Sequence, residues 1–187
     1  MIKEILKNLT GRNDVIPCPE VLRISSAETA LVVSLQENIG RVFGKSLRIR
    51  QVDAGSCNAC EWECTALTNP VYDIQRFGID FVASPRHADV LLVTGPVSRQ
   101  MELALKKTYI ATPEPRLVVA CGDCTIDGGI YKGSYAVTNG VANVIPVDCY
   151  IPGCPPSPVQ ILIGLHHLIG KVIGEETTFH QKNSTKL

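Results

Sequence analysis

Cysteines occur in three short motifs of this sequence, and their spacing suits metal binding. The first motif contains Cys57 and Cys60, which are separated so that one loop can present two thiolates to one metal centre. The second contains Cys121 and Cys124, and the third places Cys154 among prolines and a glycine. Thiolate sulfur is the ligand of iron–sulfur clusters. We interpret the motifs as one iron–sulfur cluster held by cysteines from three loops.

The cysteines best suited as ligands follow the ends of predicted strands. They are Cys57, Cys60, Cys124 and Cys154. Three nearby glycines would let the backbone come close to a cluster and direct amide groups at its sulfides. These are Gly122, Gly128 and Gly129. The prolines around Cys154 stiffen the loop that carries it.

The other cysteines have different expected roles. Cys149 is expected in the core, and Cys64 near the cluster without binding it. Cys121 competes as a ligand and could form a redox dithiol with Cys124. We discount the dithiol because such motifs open a helix, whereas a glycine pair here predicts a continuing loop. Four thiolates also bind zinc, so a zinc-stabilised scaffold remains a second hypothesis.

Charged residues near the motifs have two interpretations each. Glu61 and Glu63 follow Cys60 and could carry protons, or could face solvent at a helix start. Arg86 lies in a turn and could raise the potential of a cluster, or could bind a surface carboxylate. From the residues alone, the surface interpretation is favoured for all three.

The elements that must position the cysteines alternate between strands and helices. Apolar runs predict strands at 47–52, 81–83, 90–93, 117–120 and 144–147. Helices are predicted at 61–67, 98–109 and 157–173, with a short piece at 71–77. This alternation predicts an α/β fold with a parallel sheet. Ligands of such sheets bind beyond the carboxyl ends of the strands, where the cysteine loops would meet.

We expect three parts in the chain. Residues 1–46 form an N-terminal extension with an amphipathic helix, 47–174 form the cluster domain, and 175–187 form a polar tail. The formal net charge is zero, so the sequence has no basic footprint for nucleic acid. We also see no signal peptide and no apolar run long enough to span a bilayer, which predicts a location on the cytosolic side.

At this point the motifs resemble a known family. The matching segments are Cys57-x-x-Cys60, Ala83–Asp89, Val93–Val97, Gly122-x-Cys124 with Gly128-Gly129, Val147-Asp148-x-Tyr150 and Pro152-Gly-Cys154-Pro-Pro156. They resemble the small subunit of group 4, energy-converting nickel–iron hydrogenases of the formate hydrogenlyase type. That group is related to the cluster-bearing 20 kDa-type subunit of respiratory complex I. The resemblance covers residues 47–169.

The resemblance implies a flavodoxin-like sheet with helices on both faces and one 4Fe-4S cluster at the carboxyl ends of the strands. It implies the same four ligands, Cys57, Cys60, Cys124 and Cys154. It also places Arg86 near the cluster, and Glu63 at an acidic position of the family, as tuning or proton-relay candidates. Cys121 matches a position that is not a ligand in these relatives.

The implied function is electron transfer within an oxidoreductase complex, with no turnover by this chain alone. The implied partners are a large subunit bearing nickel and iron, a ferredoxin-like iron–sulfur subunit and membrane subunits. The chain would then lie peripherally on the cytoplasmic side of the membrane. A partner surface is expected around Trp62 and the 94–98 loop. A complex I-type quinone oxidoreductase subunit is the alternative, although its relatives have adjacent cysteines where Cys57 and Cys60 are spaced.

Overall fold

The computed structural model describes residues 33–34, 37–40 and 46–173. The described residues before 41 are helical, within the stretch where the amphipathic helix is predicted. The rest of that helix and the polar tail lie outside the described residues. The domain boundaries at 46 and 174 therefore stay predictions.

The sheet has five parallel strands in the order β2-β1-β3-β4-β5. The strands are β1 (Leu47–Asp53), β2 (Ile79–Phe81), β3 (Val90–Thr94), β4 (Leu117–Cys121) and β5 (Cys149–Ile151). This is the strand order of flavodoxin-like doubly wound sheets. The predicted fold class is therefore confirmed.

Four helices connect or follow the strands. They are α1 (Ala59–Ala66), α2 (Arg99–Ala111), α3 (Asp123–Asp127) and α4 (Pro158–Ile173). Ser98 begins α2, and its hydroxyl accepts a hydrogen bond from the Met101 amide at 3.3 Å. Ser157 and Gln160 form a reciprocal pair at the start of α4, in which each side chain accepts from the amide of the other residue.

Successive side chains of a strand point into two different apolar cores, one on each face of the sheet. On β3, Val90 and Leu92 belong to one core, while Leu91 and Val93 belong to the other. The first core also contains side chains of α4, and the second contains Leu105 of α2. All five residues of β3 are buried. The continuous apolar run at 90–93 thus marks a strand covered by helices on both faces, as predicted.

The last strand was predicted in the wrong place. Residues 141–143 form a 3-10 turn, and β5 begins at Cys149 instead of at residue 144. Val144 and Val147 pack against the second core from a loop. Pro146 has no amide hydrogen for a ladder. Pairing with β4 starts only at Asp148, whose amide donates to the Val118 carbonyl at 2.9 Å.

The short second strand is also displaced from its prediction. It begins at Ile79, two residues before the predicted start at residue 81. Ile79 is fully buried beside Leu47 of β1, whereas Ala83 is exposed. The buried residues from Ile79 onwards therefore pair with β1, and the exposed residue Ala83 does not.

Gly164 of α4 offers a test of how tightly the sheet packs. A Cβ atom at Gly164 would lie 2.6 Å from Cγ1 of Ile151, in a buried site. Overpacking costs about 1–3 kcal/mol, which exceeds or matches the helix-propensity gain of about 1 kcal/mol. We expect Gly164→Ala to lower the free energy of unfolding in denaturant titration. Adding Ile151→Val should restore part of the loss. A stabilised Gly164→Ala variant would contradict this close packing.

Candidate metal centre

One row of paired residues marks the carboxyl edge of the sheet. Asp53 pairs with Thr94, Thr94 with Cys121, and Cys121 with Ile151. The loop with Cys57 and Cys60 leaves this row after β1, and two further loops leave it after β4 and β5. All four predicted ligands therefore follow the same edge.

The four side chains lie close enough to influence one another electrostatically. Burial raises the pKa of the Cys124 thiol, and the neighbouring charges of Cys154, Cys57 and Cys60 raise it further. The Ile130 amide donates a hydrogen bond to the Cys124 sulfur and opposes this rise. Thiolates gathered in one place repel one another, so a cation that binds them all would relieve that repulsion.

Two glycines line the sulfurs at close range. A Cβ atom at Gly122 would lie 2.7 Å from the Cys60 sulfur, and one at Gly129 would lie 3.1 Å from the Cys124 sulfur. Both residues have positive φ, +101° and +51° respectively. Gly128, the third predicted glycine, faces Lys132 and Asn139 instead of a sulfur. Sequence reasoning therefore found two of the three contacts.

The loops that carry Cys124 and Cys154 are tied to each other through Asp123. The Asp123 amide donates to the Gly153 carbonyl at 2.9 Å, and the Gly153 amide donates to the Asp123 carboxylate at 2.8 Å. The Gly122 amide also donates to the Ile151 carbonyl at 2.8 Å. These bonds fix the spacing of the two loops. Sequence reasoning missed Asp123, because its partner is thirty residues away in the chain.

Glu61 braces the first cysteine loop against the sheet. Its carboxylate accepts hydrogen bonds from the hydroxyl of Thr94, at the end of β3, and from the hydroxyl of Ser56 at 2.5 Å. Ser56 in turn accepts from the Asn58 amide at 2.9 Å. The acid next to Cys60 therefore has two hydroxyl donors, whereas sequence reasoning had assigned it to solvent or to proton transfer.

Cys60 and two further cysteines lie near one another beneath the loops. The buried Cys121 side chain hydrogen-bonds to both Cys60 and Cys64. The bond to Cys121 lowers the pKa of the Cys60 thiol despite partial burial. The pKa of Cys121 is raised, first by its bonds to Cys60 and Cys64 and then by burial. The pKa values of these three thiols therefore depend on one another.

One premise of the sequence analysis was wrong at this site. Cys124 lies in the first turn of α3, a five-residue helix, and not in a continuing loop. The helix ends at Gly128, whose φ of +96° stops it. The helical start therefore gives no reason to discount a dithiol of Cys121 and Cys124. The described bonds of Cys121 are with Cys60 and Cys64 instead.

The remaining candidates lie at different distances from the cysteines. Glu63 is half-buried on α1, three residues after Cys60. Arg86 is exposed on a 3-10 turn that leads into the amino end of β3, which is the opposite end of that strand from the cysteine loops. The roles of both residues stay predictions.

Cys149 is a half-buried strand residue packed against the first core, as predicted. Burial raises the pKa of its thiol. Of the expected partner surface, Trp62 is 68% exposed, but residues 94–97 are buried within the chain. The 94–97 loop is therefore packed inside the chain beside the site and does not form part of an exposed partner surface.

We looked for single-ion metal sites among residues 33–34, 37–40 and 46–173. Within them, no three histidine, cysteine or acidic side chains are grouped to hold a single metal ion. A cluster differs from a single ion because it is bound by thiolates on separate iron atoms. The donor set, the glycine contacts and the shared edge therefore fit a cluster cradle.

The fold and this site place the chain among parallel α/β proteins that gather cysteines at the carboxyl edge of the sheet. Comparison with known proteins narrows the class. The chain belongs to the family of the 20 kDa subunit of NADH ubiquinone oxidoreductase, whose profile matches residues 57–168. The resemblance noted from the motifs is thereby confirmed.

Two relatives show the hydrogenase branch of the resemblance. Formate hydrogenlyase subunit 7 of Escherichia coli (strain K12) is 38% identical over 165 residues, which are 88% of this chain and 63% of that protein. A probable membrane-bound hydrogenase subunit, mbhJ of Pyrococcus furiosus, is 44% identical over 125 residues, 67% of this chain and 75% of that protein. The chain thus spans less than two thirds of the first relative. By name, both are subunits of oxidoreductase complexes.

A solved structure extends the comparison to a different reaction. A chain of the membrane-bound sulfane sulfur reductase, an archaeal respiratory membrane complex, superposes with a TM-score of 0.64 at 36% identity. The match covers 76% of this chain and 77% of that chain. Among the helices that the structure describes here, none is long and apolar enough to cross a membrane.

The Glu61 brace generates a prediction about stability. Thr94→Val keeps the shape of the side chain but removes one of two hydroxyl donors to the half-buried Glu61 carboxylate, and a hydrogen bond to a charged group contributes about 1.5–3 kcal/mol. We expect the free energy of unfolding to fall by that amount in denaturant titration. Thr112→Val is the matched control, since the buried Thr112 hydroxyl donates to the Thr108 carbonyl within its own helix and not to a carboxylate. Equal losses in the two variants would contradict the brace.

Proposed function

We propose that this chain is the electron-transfer small subunit of a membrane-associated nickel–iron hydrogenase complex. It would hold one 4Fe-4S cluster through Cys57, Cys60, Cys124 and Cys154. The observation that carries the proposal is the gathering of these four cysteines at one sheet edge, with Gly122 packed against a sulfur. Family membership and the named hydrogenase relatives support it.

When bound, a 4Fe-4S cluster supplies one-electron redox chemistry. The residues of this chain hold and insulate it. The three loops deliver the thiolates, Glu61 and Asp123 fix the loops, and the Ile130 amide donates to the Cys124 sulfur. Burial and hydrogen bonds to sulfur then set the potential at which electrons pass. Catalysis at a substrate would belong to another subunit.

The surface around the cysteine loops supports a partner at this site. Apolar side chains there are exposed, which is unusual for a surface that faces water alone. They are Trp62, Ile126, Ile130, Tyr131 and Tyr135. We assign this surface to the large subunit that would bear nickel and iron. A ferredoxin-like subunit and membrane subunits would complete the complex, and would hold this chain peripherally at the cytoplasmic side of the membrane.

A second candidate follows from the solved structure. The chain is 36% identical to a subunit of a sulfane sulfur reductase complex and 38% and 44% identical to the two hydrogenase relatives, so the same electron-transfer subunit could serve sulfur reduction. The chemistry of the partner subunit separates the two. Nickel in the co-purified large subunit would identify a hydrogenase, and a large subunit without nickel would favour the second candidate.

The first experiment measures metal content and the electron paramagnetic resonance spectrum of the complex, purified without oxygen and then reduced. We expect about four irons per chain, with loss of the signal in Cys124→Ser and Cys154→Ser. Cys149→Ser is the control, because that thiol lies in the core and should leave both readings unchanged. Stoichiometric zinc without iron would overturn the proposal and revive the zinc-stabilised scaffold.

The glycine contacts give a second test of the cradle. Gly122→Ala would place a methyl group against the Cys60 sulfur as well as straining the backbone, so iron content per chain should fall severalfold. Gly133→Ala is the matched control, since Gly133 has a φ of +79° but no atom within 4 Å of its Cβ position. Both variants carry backbone strain, and only the first crowds a sulfur. Equal iron losses would attribute the effect to strain alone and contradict the cradle.

A further inference from the structure

Two aspartates join the chain segments of β4 and β5, one at each end, through the same pair of hydrogen bonds. At the amino end, the Asp148 amide donates to the Val118 carbonyl at 2.9 Å, and the Val118 amide donates to the Asp148 carboxylate at 2.8 Å. At the carboxyl end, Asp123 and Gly153 form the equivalent bonds at 2.9 Å and 2.8 Å. The two pairs have the same chemistry and different surroundings, so each serves as a control for the other.

The pair at the carboxyl end connects two residues of the proposed ligand set. Asp123 directly precedes Cys124, and Gly153 directly precedes Cys154. Both bonds therefore lie next to ligand residues on both sides. The pair at the amino end has no such neighbours, since the cysteine beside it is Cys149, which packs against the first core.

The loop that carries Cys154 has few backbone donors of its own. Its sequence is Pro152-Gly153-Cys154-Pro155-Pro156. Proline has no amide hydrogen, so only Gly153 and Cys154 can donate from the backbone of this loop. The Gly153 amide has its partner in the Asp123 carboxylate. The loop also folds back on itself, since a Cβ atom at Gly153 would lie 2.6 Å from Cα of Pro156. A shift of Gly153 therefore moves Cys154 with it.

The strength of the bond between Cys154 and iron depends on where this loop lies. Each cysteine of such a ligand set binds one iron of the cluster. Loss of a hydrogen bond that orients a metal ligand typically lowers metal affinity by about 10–100-fold. Without the Asp123 carboxylate, the half-buried Gly153 amide needs water as its acceptor, and reaching water moves the loop outward. Because Cys154 is exposed, water then also reaches the iron that it binds.

We propose that Asp123 is a positioning residue that holds Cys154 on the cluster. Its carboxylate fixes the Gly153 amide and thereby keeps Cys154 at the spacing from Cys124 that one cluster requires. Loss of the carboxylate loosens the iron bound by Cys154 and leaves the iron at the other ligands in place. This inference rests on the proposed function, since it requires a cluster bound through Cys154, and it adds which iron depends on which hydrogen bond.

The test uses the intact complex, purified without oxygen and then exposed to a chelator of ferrous iron. Iron leaves as Fe²⁺ in this treatment, so no electron is transferred. We expect the parent complex to keep about four irons per chain and Asp123→Ala to lose about one of them. Asp123→Asn should keep its iron, because the asparagine oxygen can still accept from the Gly153 amide. The reduced-state electron paramagnetic resonance signal should fall in proportion to the iron lost.

Asp148→Ala is the matched control. It removes the same kind of acceptor, from the Val118 amide, at the end of β4 away from the cysteine loops. We expect it to lower the free energy of unfolding and to keep iron as the parent does. Equal iron losses in Asp148→Ala and Asp123→Ala would overturn the inference, because a weakened fold would then explain both.

Three further results would contradict the role of Asp123. They are full retention of iron in Asp123→Ala, loss of all iron from it, and a loss in Asp123→Asn equal to that in Asp123→Ala. If Asp123→Ala does not assemble, Asp123→Glu decides, since the added methylene displaces the carboxylate from the Gly153 amide. The same loss of about one iron is expected there, and full retention would overturn the inference. A parent complex without iron would instead refute the proposed function, before any variant is compared.

Discussion

The parallel register at the carboxyl edge is the constraint on which the site depends. Parallel strands begin and end in the same direction, so loops that follow β1, β4 and β5 must leave from one edge. The paired row of Asp53, Thr94, Cys121 and Ile151 fixes the depth from which each loop starts. Residues far apart in the chain can therefore face one space. The two apolar cores hold that register, because slipping a strand by one residue would exchange its faces.

Deprotonated cysteines at this site would repel one another, and a bound metal group would relieve that repulsion. Burial and neighbouring thiols raise the pKa of Cys124, whereas a hydrogen bond from Cys121 lowers the pKa of Cys60. Cysteines bind metal as thiolates, so binding releases protons and replaces mutual repulsion with coordination. The braces at Glu61 and Asp123 hold the loops at their spacing without bonding to the sulfurs. Loop spacing and thiolate charge are thus set by different residues.

Exposed apolar residues lie beside the cysteines, where we propose that a partner subunit binds. A family defined by a subunit of NADH ubiquinone oxidoreductase, together with relatives named for hydrogenase complexes, contains chains that work beside partners. The solved relative belongs to a complex named for sulfane sulfur reduction, whereas the two sequence relatives are named for hydrogenase complexes. The electron-transfer role that we propose would suit either kind of complex, because the chemistry of an electron carrier is independent of the substrate at the partner.

The sequence by itself determined the parallel α/β fold and the cysteine motifs. Apolar runs such as 90–93 and the spacing of Cys57 and Cys60 are local patterns. Strand pairing in a buried sheet depends on the first pattern, and metal binding depends on the second. Only the tertiary structure decided the position of β5, because the apolar residues at 144–147 were buried by packing instead of by pairing. It also decided the neighbours of Glu61 and Cys121, since Thr94 of β3 reaches Glu61, and α1 brings Cys60 and Cys64 to Cys121, only after the sheet has formed.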